Sequence, residues 1–289
     1  MLNKQNGTGN DSLSKRKFPA FSVLMAVYRE EKPNYLNEAL LSIENQTVKP
    51  QEIVLVEDGV LTESLNKVIQ HHKDLLGDQL KVIEKKKNEG LGLSLSVGAR
   101  YVDTNWIARM DTDDISINNR FELQLKKIVD NKKLALIGGQ VDEFSDNLDN
   151  VVGKRYVPTS QAEILNFLKW RNPFNHPTVM IRKDALEAVG GYQGNGKLED
   201  YFLWSKLIIA GYDVENLSEI LVHMRVDNGM YGRRGDWQNL KEIIALKKLL
   251  RKHKLIGFWE EVFGMFVLIA NTIIPEGMRK FLYQHILHK

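Results

Sequence analysis

The chain has 289 residues, of which 43% are hydrophobic and 27% charged, so it is large enough for one large domain or for one domain with an appendage. Because it contains no cysteine, disulfide scaffolds, thiolate metal centres and cysteine nucleophiles are excluded, and a reducing cytoplasm suits the composition. The net charge of +3 is too small to indicate a nucleic-acid partner.

The two ends of the chain differ in composition from its middle. Residues 1–19 are polar and have no apolar core, so we predict a disordered leader and not a signal peptide. The segment from Lys241 to Lys289 carries nine Lys and Arg against four Asp and Glu. Its longest apolar run, Val262–Ile274, is shorter than the about 20 residues that cross a bilayer. This segment is typical of a basic helix that either lies in solvent or contacts an anionic surface such as a membrane.

Apolar runs alternate with helical patterns through the first half of the chain. Helical spacing begins at Pro33 and covers Leu61–Leu76, Leu91–Val102 and Asn118–Asp130. Runs typical of buried strands occupy Phe21–Tyr28, Glu52–Glu57, Leu80–Glu84, Trp106–Met110 and Leu134–Phe144. This repeated order predicts an α/β fold with a mostly parallel central sheet and helices on both faces.

The alternation is weaker after residue 150. The pattern predicts helices at Ala162–Trp170, Asp184–Val189 and Asp200–Ala210. It predicts strands at His176–Ile181 and within Val214–Val226. From Asp236 the chain is predicted to be helical nearly to its end, with a break at Pro275.

No phosphate-binding loop follows the first predicted strand. Tyr28 is followed by Arg29-Glu30-Glu31-Lys32-Pro33, which matches neither GxGxxG nor GxxxxGK[ST]. The two glutamates would also repel a phosphate at this position. The sequence therefore argues against a Rossmann dehydrogenase and against a P-loop enzyme.

Acidic clusters instead follow the second and fourth predicted strands. These clusters are Glu57-Asp58-Gly59 and Asp111-Thr112-Asp113-Asp114. Ligands of parallel sheets bind at the carboxyl ends of the strands, so both clusters are expected at the ligand edge. Hard carboxylate oxygens suit Mg²⁺ or Mn²⁺. Helix capping is the alternative, but a cap requires only one of the three aspartates in the second cluster.

Several motifs together resemble those of family 2 glycosyltransferases, which have the GT-A (nucleotide-diphospho-sugar transferase) fold. The likeness covers about residues 21–250 and narrows to bacterial amylovoran-type exopolysaccharide and O-antigen glycosyltransferases. The motifs are Val23–Tyr28, Gln46-Thr47, Glu57–Gly59, Asp111–Asp114, Asn172–His176, Gly190–Tyr192, Leu198–Tyr201 and Asn228–Gly235.

The resemblance implies a domain division and a set of donor-binding residues. It places a GT-A catalytic domain at residues 20–235, with a nucleotide half at about 20–115 and an acceptor half at about 116–235. Residues 236–289 form a helical C-terminal extension. The resemblance gives donor-binding roles to Ala26, Tyr28, Glu30, Asp58, Asn88, Gly90, Arg109, Asp111 and Asp113. It predicts that Asp113, Asp111 and Asp114 are the ligands of a Mn²⁺ or Mg²⁺ ion.

The resemblance also implies an acceptor side. Asp200 matches the general base of the family, which takes a proton from the attacking acceptor hydroxyl. The alternative is that the Glu199-Asp200 pair caps a helix, although a cap accounts for one carboxylate only. Further residues expected to contact acceptor or phosphate are Glu199, His176, Arg233 and Arg234. The alternative for His176 is a structural role, and the alternative for the two arginines is an exposed turn.

The function implied is an inverting, metal-dependent transfer of a hexose, with galactose or glucose favoured, from a UDP-sugar to a glycan on a polyprenyl-diphosphate carrier. The setting is surface polysaccharide synthesis (exopolysaccharide, capsule or O-antigen) at the cytoplasmic face of the cell membrane, with peripheral contact through the C-terminal helices. Two alternatives remain at this point. One is a metal-dependent nucleotidyltransferase, and the other is a non-catalytic protein that binds a sugar nucleotide or a glycan.

Overall fold

The computed structural model describes residues 18–145, 147–194, 196, 198–226 and 237–264 of the chain. The described strands are β1 Phe21–Tyr28, β2 Glu52–Asp58, β3 Leu80–Glu84, β4 Trp106–Arg109, β5 Ile115–Ser116, β6 Leu134–Phe144, β7 Val151–Arg155, β8 Met180–Arg182 and β9 Asp213–Arg225. The described helices are α1 Pro33–Glu44, α2 Glu63–Leu76, α3 Leu91–Ala99, α4 Arg120–Asp130, α5 Gln161–Phe167, α6 Lys183–Ala188, α7 Glu199–Ile209 and α8 Trp237–Lys252. Residues 258–264 are also helical.

The strands form one sheet in the order β3-β2-β1-β4-β8-β6-β9-β5, and β7 pairs with β6. Strands β1 to β4, β6 and β9 run in one direction, while β5, β7 and β8 run in the other. The predicted mostly parallel sheet is therefore confirmed. The antiparallel β8 joins the parallel first half to β6.

Helices cover both faces of the sheet because successive strand residues point to opposite sides. Met25 of β1 belongs to an apolar layer that includes Leu40 of α1 and Phe121 of α4. Its neighbour Leu24 belongs to the opposite layer, together with Leu95 of α3 and side chains of α5, α6 and α7. The sheet edge at the carboxyl ends of β1, β2 and β4 is thus held between two packed layers.

The α8 helix packs against the end of α5 and against α7. Leu246 and Leu250 are buried with Leu168 and Tyr201, and Ile256 completes this third apolar cluster. The predicted boundary at residue 235 falls outside the described residues, so the division into a catalytic domain and an extension remains a prediction. Within the part of the chain that the structure describes, no helix has both the length and the apolar character to cross a bilayer.

One predicted strand is wrong in its first half. The segment His176–Ile181 begins with a 3₁₀ turn at His176–Thr178, and only Met180–Arg182 forms a strand. Pro177 has no N–H to donate to a sheet, and the Thr178 hydroxyl donates to the Asn175 carbonyl at 2.7 Å, which closes the turn. The predicted helix from Asp236 is also interrupted, since α8 ends at Lys252 and helical structure resumes only at residue 258. The remaining predicted bounds that lie in the described residues differ from the observed ones by at most three residues.

The contact of α3 with the sheet generates a stability prediction. A Cβ atom at Gly98 would lie 2.5 Å from Leu24 Cδ1 and 2.6 Å from Val56 Cγ2, both buried. We expect Gly98→Ala to lower the free energy of unfolding by about 1–3 kcal/mol in urea titrations, because overpacking outweighs the gain in helix propensity. The partly exposed Ser96→Ala on the same helix is the control and should not destabilise. A Gly98→Ala protein as stable as the parent would show that the helix can move outward freely.

Candidate active site

An open cleft of about 340 Å³ lies at the carboxyl ends of β1, β2 and β4. The strand register explains why its walls meet: Tyr28 of β1 pairs with Asp58 of β2, and Leu24 of β1 pairs with Arg109 of β4. The cleft is lined by Ala26, Val27, Tyr28, Glu31, Asp58, Asn88, Gly90, Leu91, Asp111, Thr112 and Asp113. Most of the residues predicted to bind a donor are thus neighbours at one sheet edge.

The Asp58 carboxylate is fixed on one wall of the cleft. Lys85 Nζ at 2.7 Å and the Glu89 N–H at 2.9 Å donate to Oδ1, and the Gly90 N–H donates to Oδ2 at 2.9 Å. Burial alone would raise the pKa of Asp58, but these hydrogen bonds, led by that of Lys85, bring the pKa below its ordinary value. Asp58 is therefore a rigid, ionised acceptor.

Gly59 makes this arrangement possible. Its φ of +87° lies in the region that favours glycine, and a Cβ atom there would lie 2.7 Å from the Asn88 nitrogen. The chain after β2 can thus pass close to the segment that carries Asn88 and Gly90. Tyr28 also lines the cleft, and because 43% of its surface is exposed, its ring is accessible to a ligand.

Three carboxylates converge at the end of β4. Oxygen atoms of Asp111, Asp113 and Asp114 lie within 4.8 Å of one another. Burial, with Asp111 and Glu31 nearby, raises the pKa of Asp113 to about 7. Burial and Asp113 likewise raise the pKa of Asp114 well above its ordinary value. The negative charges of these carboxylates repel one another, and this repulsion destabilises their charged forms.

The three carboxylates fit a divalent cation. Asp114 Oδ2 is buried and has no hydrogen-bond partner among the described residues, and such an orphaned acceptor needs an explanation. A hard oxygen-binding ion such as Mg²⁺ or Mn²⁺ supplies one, because it would bind the convergent oxygens and neutralise their repulsion. The residues that would hold it are Asp111, Asp113 and Asp114.

Arg225, at the end of β9, contacts the loop that carries the three aspartates after β4, which we call the carboxylate loop. Its backbone N–H donates to Asp114 Oδ1 at 2.9 Å, and its Nε donates to the Asp113 carbonyl at 3.1 Å. Its Nη2 lies 2.5 Å from Glu38 Oε2 of α1, and its guanidinium lies 3.9 Å from the Tyr35 ring centroid. The strand β9 therefore fixes Asp113 and Asp114, two of the three candidate metal ligands.

A second pair of carboxylates lies at the start of α7. The N-cap residue of α7 is Leu198, so Glu199 and Asp200 lie inside its first turn and neither occupies the capping position. Burial and the neighbouring Asp200 raise the pKa of Glu199 to about 7. Burial also raises the pKa of Asp200, although the Tyr201 N–H at 2.7 Å and Asn172 Nδ2 at 2.6 Å both donate to it. Asp200 is thus a half-buried carboxylate whose charged form keeps two donors.

Arg109 lies between the two groups of acids. Its side chain is fully enclosed, and its Nη2 donates to Asp111 Oδ1. The same positive charge acts on Glu199 and Asp200, where it opposes the effect of burial on both pKa values. Arg109 Nε and Nη1 have no hydrogen-bond partner among the described residues. The buried positive charge of Arg109 therefore acts both on the aspartates after β4 and on the Glu199–Asp200 pair.

His176 is half-buried, and the charge of Arg109 acts on its ring. Burial and the Arg109 charge hold the pKa of His176 well below its ordinary value, so the ring is neutral at neutral pH. Its Nε2 lies 3.4 Å from the Tyr192 hydroxyl, and its ring meets that of Trp204 edge-on at 5.8 Å. These contacts place His176 next to the acceptor-side acids, in a packed position.

The structure separates some predicted residues from the cleft and adds others. Glu30 is exposed and does not line the cleft, whereas its neighbour Glu31 does and accepts from the Thr112 hydroxyl at 2.9 Å. Arg233 and Arg234 lie outside the described residues. The sequence analysis missed Glu31, Lys85, Asn172 and Arg225 as site residues, because each reaches the site through a contact between distant segments.

Comparison with known families and proteins agrees with this geometry. The model of the family described as "Glycosyl transferase family 2" matches residues 22–190. A Haemophilus influenzae protein described as an uncharacterized glycosyltransferase is 40% identical over 93% of this chain and 99% of its own length. The amylovoran biosynthesis glycosyltransferase AmsE of Erwinia amylovora is 35% identical over 91% of this chain and 98% of its own. An Escherichia coli UDP-Gal:alpha-D-GlcNAc-diphosphoundecaprenol beta-1,3-galactosyltransferase is 33% identical over 94% of this chain and 98% of its own.

Solved structures share the fold. S. aureus TarS 1-349 in complex with UDP-GlcNAc matches 86% of this chain and 71% of its own at 17% identity, with a TM-score of 0.65. GalNAc-T7 with UDP, GalNAc and Mn²⁺ matches 93% of this chain and 54% of its own at 16% identity, with the same TM-score. At such identities the likeness concerns the fold, and it confirms the predicted GT-A architecture.

The mutual repulsion of the carboxylates at the end of β4 generates the second prediction. We expect Asp113→Asn to raise the Tm of the metal-free protein by roughly 2–4 °C, the equivalent of about 1 kcal/mol, because one of the converging charges is removed. The same variant should lose the increase in Tm that Mn²⁺ gives the parent, because a ligand is lost. Differential scanning fluorimetry with Mn²⁺ and with EDTA measures both effects.

The exposed acid Asp74, on α2, provides the control. Asp74→Asn should keep the metal response of the parent. A full Mn²⁺ response in Asp113→Asn would move the metal site away from this cluster.

Proposed function

Because the chain belongs to glycosyl transferase family 2 and is an enzyme of that family, we propose that it transfers a hexose from a UDP-sugar to a lipid-linked glycan. The observation that carries the proposal is the meeting of three features at one sheet edge. They are a cleft with an accessible aromatic ring and a fixed carboxylate, a convergent group of three aspartates, and a half-buried carboxylate pair at the start of α7.

The first part of the proposal concerns the nucleotide. Tyr28 offers a ring face on which uracil stacks, and Asp58 accepts a hydrogen bond from the uracil N3–H. The donors on Asp58 come from Lys85, Glu89 and Gly90 and keep it charged and immobile. Ala26 and Asn88 complete the wall, together with Glu31 at the position that was predicted for Glu30.

The second part concerns the diphosphate. Asp111, Asp113 and Asp114 would hold a Mn²⁺ or Mg²⁺ ion, which when bound neutralises the diphosphate and stabilises the departing UDP. Arg109 contributes a permanent positive charge from beneath this group, since its guanidinium cannot be deprotonated in a protein. Arg233 and Arg234 complete the phosphate contacts in this proposal, and they lie outside the described residues.

The third part concerns the chemical step. Asp200 takes the proton of the acceptor hydroxyl as the hydroxyl oxygen attacks the anomeric carbon, and the bond to the UDP oxygen breaks with inversion of the anomeric centre. Its raised pKa makes Asp200 a stronger base than an exposed aspartate would be. Glu199 and His176 lie beside it and orient the acceptor.

The identity of the substrates is inferred from relatives. The E. coli relative is named for UDP-Gal and for a diphosphoundecaprenol-linked acceptor, and the Erwinia relative for amylovoran synthesis. We therefore favour galactose, then glucose, as the transferred sugar, and a polyprenyl-diphosphate-linked glycan as the acceptor. Such a reaction takes place at the cytoplasmic face of the membrane in surface polysaccharide synthesis.

Replacement of the base tests the proposed step. We expect Asp200→Asn to lower kcat about 10²–10⁴-fold, because an amide cannot accept the proton. The increase in Tm caused by UDP with Mn²⁺ should persist, because Asp200 does not contact the nucleotide. Turnover is measured as UDP release from UDP-galactose and UDP-glucose with a polyprenyl-diphosphate-linked acceptor, and the anomer of the product is determined by NMR.

The exposed acid Asp184 of α6 supplies the matched control, since Asp184→Asn should leave kcat unchanged. An Asp200→Asn enzyme within tenfold of the parent would remove Asp200 from the base role. A Tm response to GDP or dTDP compounds alone would instead show that the assigned nucleotide is wrong.

We further propose that the enzyme contacts the membrane through an aromatic patch at its C-terminal side. The patch consists of Trp170, Phe258, Trp259, Val262 and Phe263, all exposed, and Trp259 is 78% exposed. Trp170 meets Phe263 edge-on at 5.9 Å, which joins the acceptor half to the last described helix. Exposed basic side chains precede the patch at Lys248, Arg251, Lys252 and Lys254. Aromatic rings beside basic residues suit an interface with anionic lipid.

Vesicle binding tests the patch. We expect the double variant Trp259→Glu, Phe263→Glu to lose most co-sedimentation with phosphatidylglycerol vesicles, because two apolar side chains become charged and repel the anionic surface. Tyr156→Glu, at another exposed aromatic residue, is the control and should bind as the parent does. Undiminished vesicle binding by the double variant would assign membrane contact to another surface.

A further inference from the structure

Asn172 lies in the loop between α5 and β8 and contacts the proposed base directly. Its Nδ2 donates to Asp200 Oδ2 at 2.6 Å. The other carboxylate oxygen, Oδ1, accepts from the Tyr201 N–H at 2.7 Å. Each oxygen of Asp200 therefore has a donor, and rotation of the carboxylate about its Cβ–Cγ bond would break both hydrogen bonds.

The orientation of the Asn172 amide is fixed by a second hydrogen bond. Its Oδ1 accepts from the Phe174 backbone N–H at 3.2 Å. A backbone N–H can only donate, so the oxygen end must face Phe174 and the NH₂ end must face Asp200. The amide therefore donates to the carboxylate of Asp200, and the flipped orientation of the amide is excluded.

The loop that carries Asn172 is itself tied to the sheet. Asn175 Nδ2 donates to the carbonyls of Gly139 at 3.0 Å and Arg155 at 3.2 Å. The Pro173 carbonyl accepts from Asn216 Nδ2 of β9 at 2.9 Å. The asparagines at 175 and 216 are buried. Asn172 therefore stands on a rigid support, and a small displacement of the donor is resisted by β6, β7 and β9.

From this geometry we propose that Asn172 is a positioning residue for the proposed base Asp200, which orients the carboxylate towards the acceptor and keeps it ionised inside a buried site. The inference rests on the proposed function, because it assigns Asn172 a role through Asp200. Asn172 is not a catalytic residue in this scheme, since it contacts the base and not the substrate.

The surroundings of Asp200 determine the sign of the expected effect. A hydrogen bond from Asn172 favours the charged form of Asp200, and so does the Arg109 charge, whereas burial opposes it. Removing the donor therefore raises the pKa of Asp200, and the base becomes active only at higher pH. The titratable groups whose charges act with Asp200 are Glu199 of the same turn, Tyr201, Tyr192 and Arg109 of β4.

The isosteric variant Asn172→Asp tests the role. It keeps the oxygen that accepts from Phe174 but replaces the donor to Asp200 with a second oxygen. We expect the acid limb of the kcat–pH profile to move upward by about one to two pH units or more, because the variant removes a donor and also places a second carboxylate beside Asp200. Asn172→Ser should give a smaller upward shift. The KM for the UDP-sugar should stay unchanged, because the nucleotide cleft is not altered.

The profile is measured at saturating UDP-sugar, acceptor and Mn²⁺, so that the limb belongs to the loaded enzyme. Asn175→Ser is the matched control: it loosens the same loop without contacting Asp200, so it should lower the Tm and move the acid limb much less than Asn172→Asp does. The exchange variant Asn172→Asp, Asp200→Asn restores one amide and one carboxylate. We expect repulsion between the two carboxylates to lower the Tm of Asn172→Asp, and the exchange variant should recover that loss. It should remain inactive, because the carboxylate stands at the wrong position.

The outcomes separate the inference from the function on which it rests. If Asp200→Asn retains turnover, the assigned base is wrong and the role of Asn172 is lost with it. If Asp200→Asn is inactive but Asn172→Asp shows the acid limb of the parent, or if Asn175→Ser shifts the limb equally, only the positioning role is overturned. An active exchange variant would also overturn it.

Discussion

The charge of Arg109 is the constraint on which the rest of the site depends. Its guanidinium is buried between three aspartates at the end of β4 and the Glu199–Asp200 pair of α7. Burial raises the pKa of Asp113, Asp114, Glu199 and Asp200, and the positive charge of Arg109 opposes that rise at each of them. A divalent cation on the aspartates would supply the missing charge and leave Arg109 to act on the acceptor side. The two halves of the site are thus coupled by charge before any substrate links them.

The fold brings these acids together with few connecting elements. Parallel strands β1, β2 and β4 deliver Tyr28, Asp58 and Asp111 to one edge, and two apolar layers prevent that edge from shifting. The strand β9 is parallel to β6 and therefore to these first strands, so it ends at the same edge, where Arg225 contacts the carboxylate loop. Strands and α7 carry Tyr28, Asp58, Arg109 and the Glu199–Asp200 pair, whereas loops carry the three aspartates that follow β4, Asn172 and the segment around Asn88.

The sequence predicted those elements whose structure depends on residues that are close together in the chain. Continuous apolar runs identified β1, β3 and β6 at their observed bounds, and the acidic strings after β2 and β4 pointed to the ligand edge. The resemblance to family 2 glycosyltransferases supplied Asp200, whose burial no spacing reveals. Lys85, Arg225 and Asn172 were missed because their partners lie between 27 and 111 residues away in the chain. The mistaken strand at His176 shows the same limit, since Pro177 and a local hydroxyl decided the backbone there.

The packing of α8 has a consequence for any shortened form of this enzyme. Leu246 and Leu250 of α8 cover Tyr201, which directly follows Asp200 on α7, and the Tyr201 hydroxyl donates to the Leu168 carbonyl. A chain cut at residue 235 would leave this surface bare and would remove one of the two supports of the helix that carries the carboxylates. Such a fragment would keep a complete nucleotide cleft and lose the rigidity of its acceptor side. The packed unit therefore extends beyond residue 235, where the sequence predicts the end of the catalytic domain.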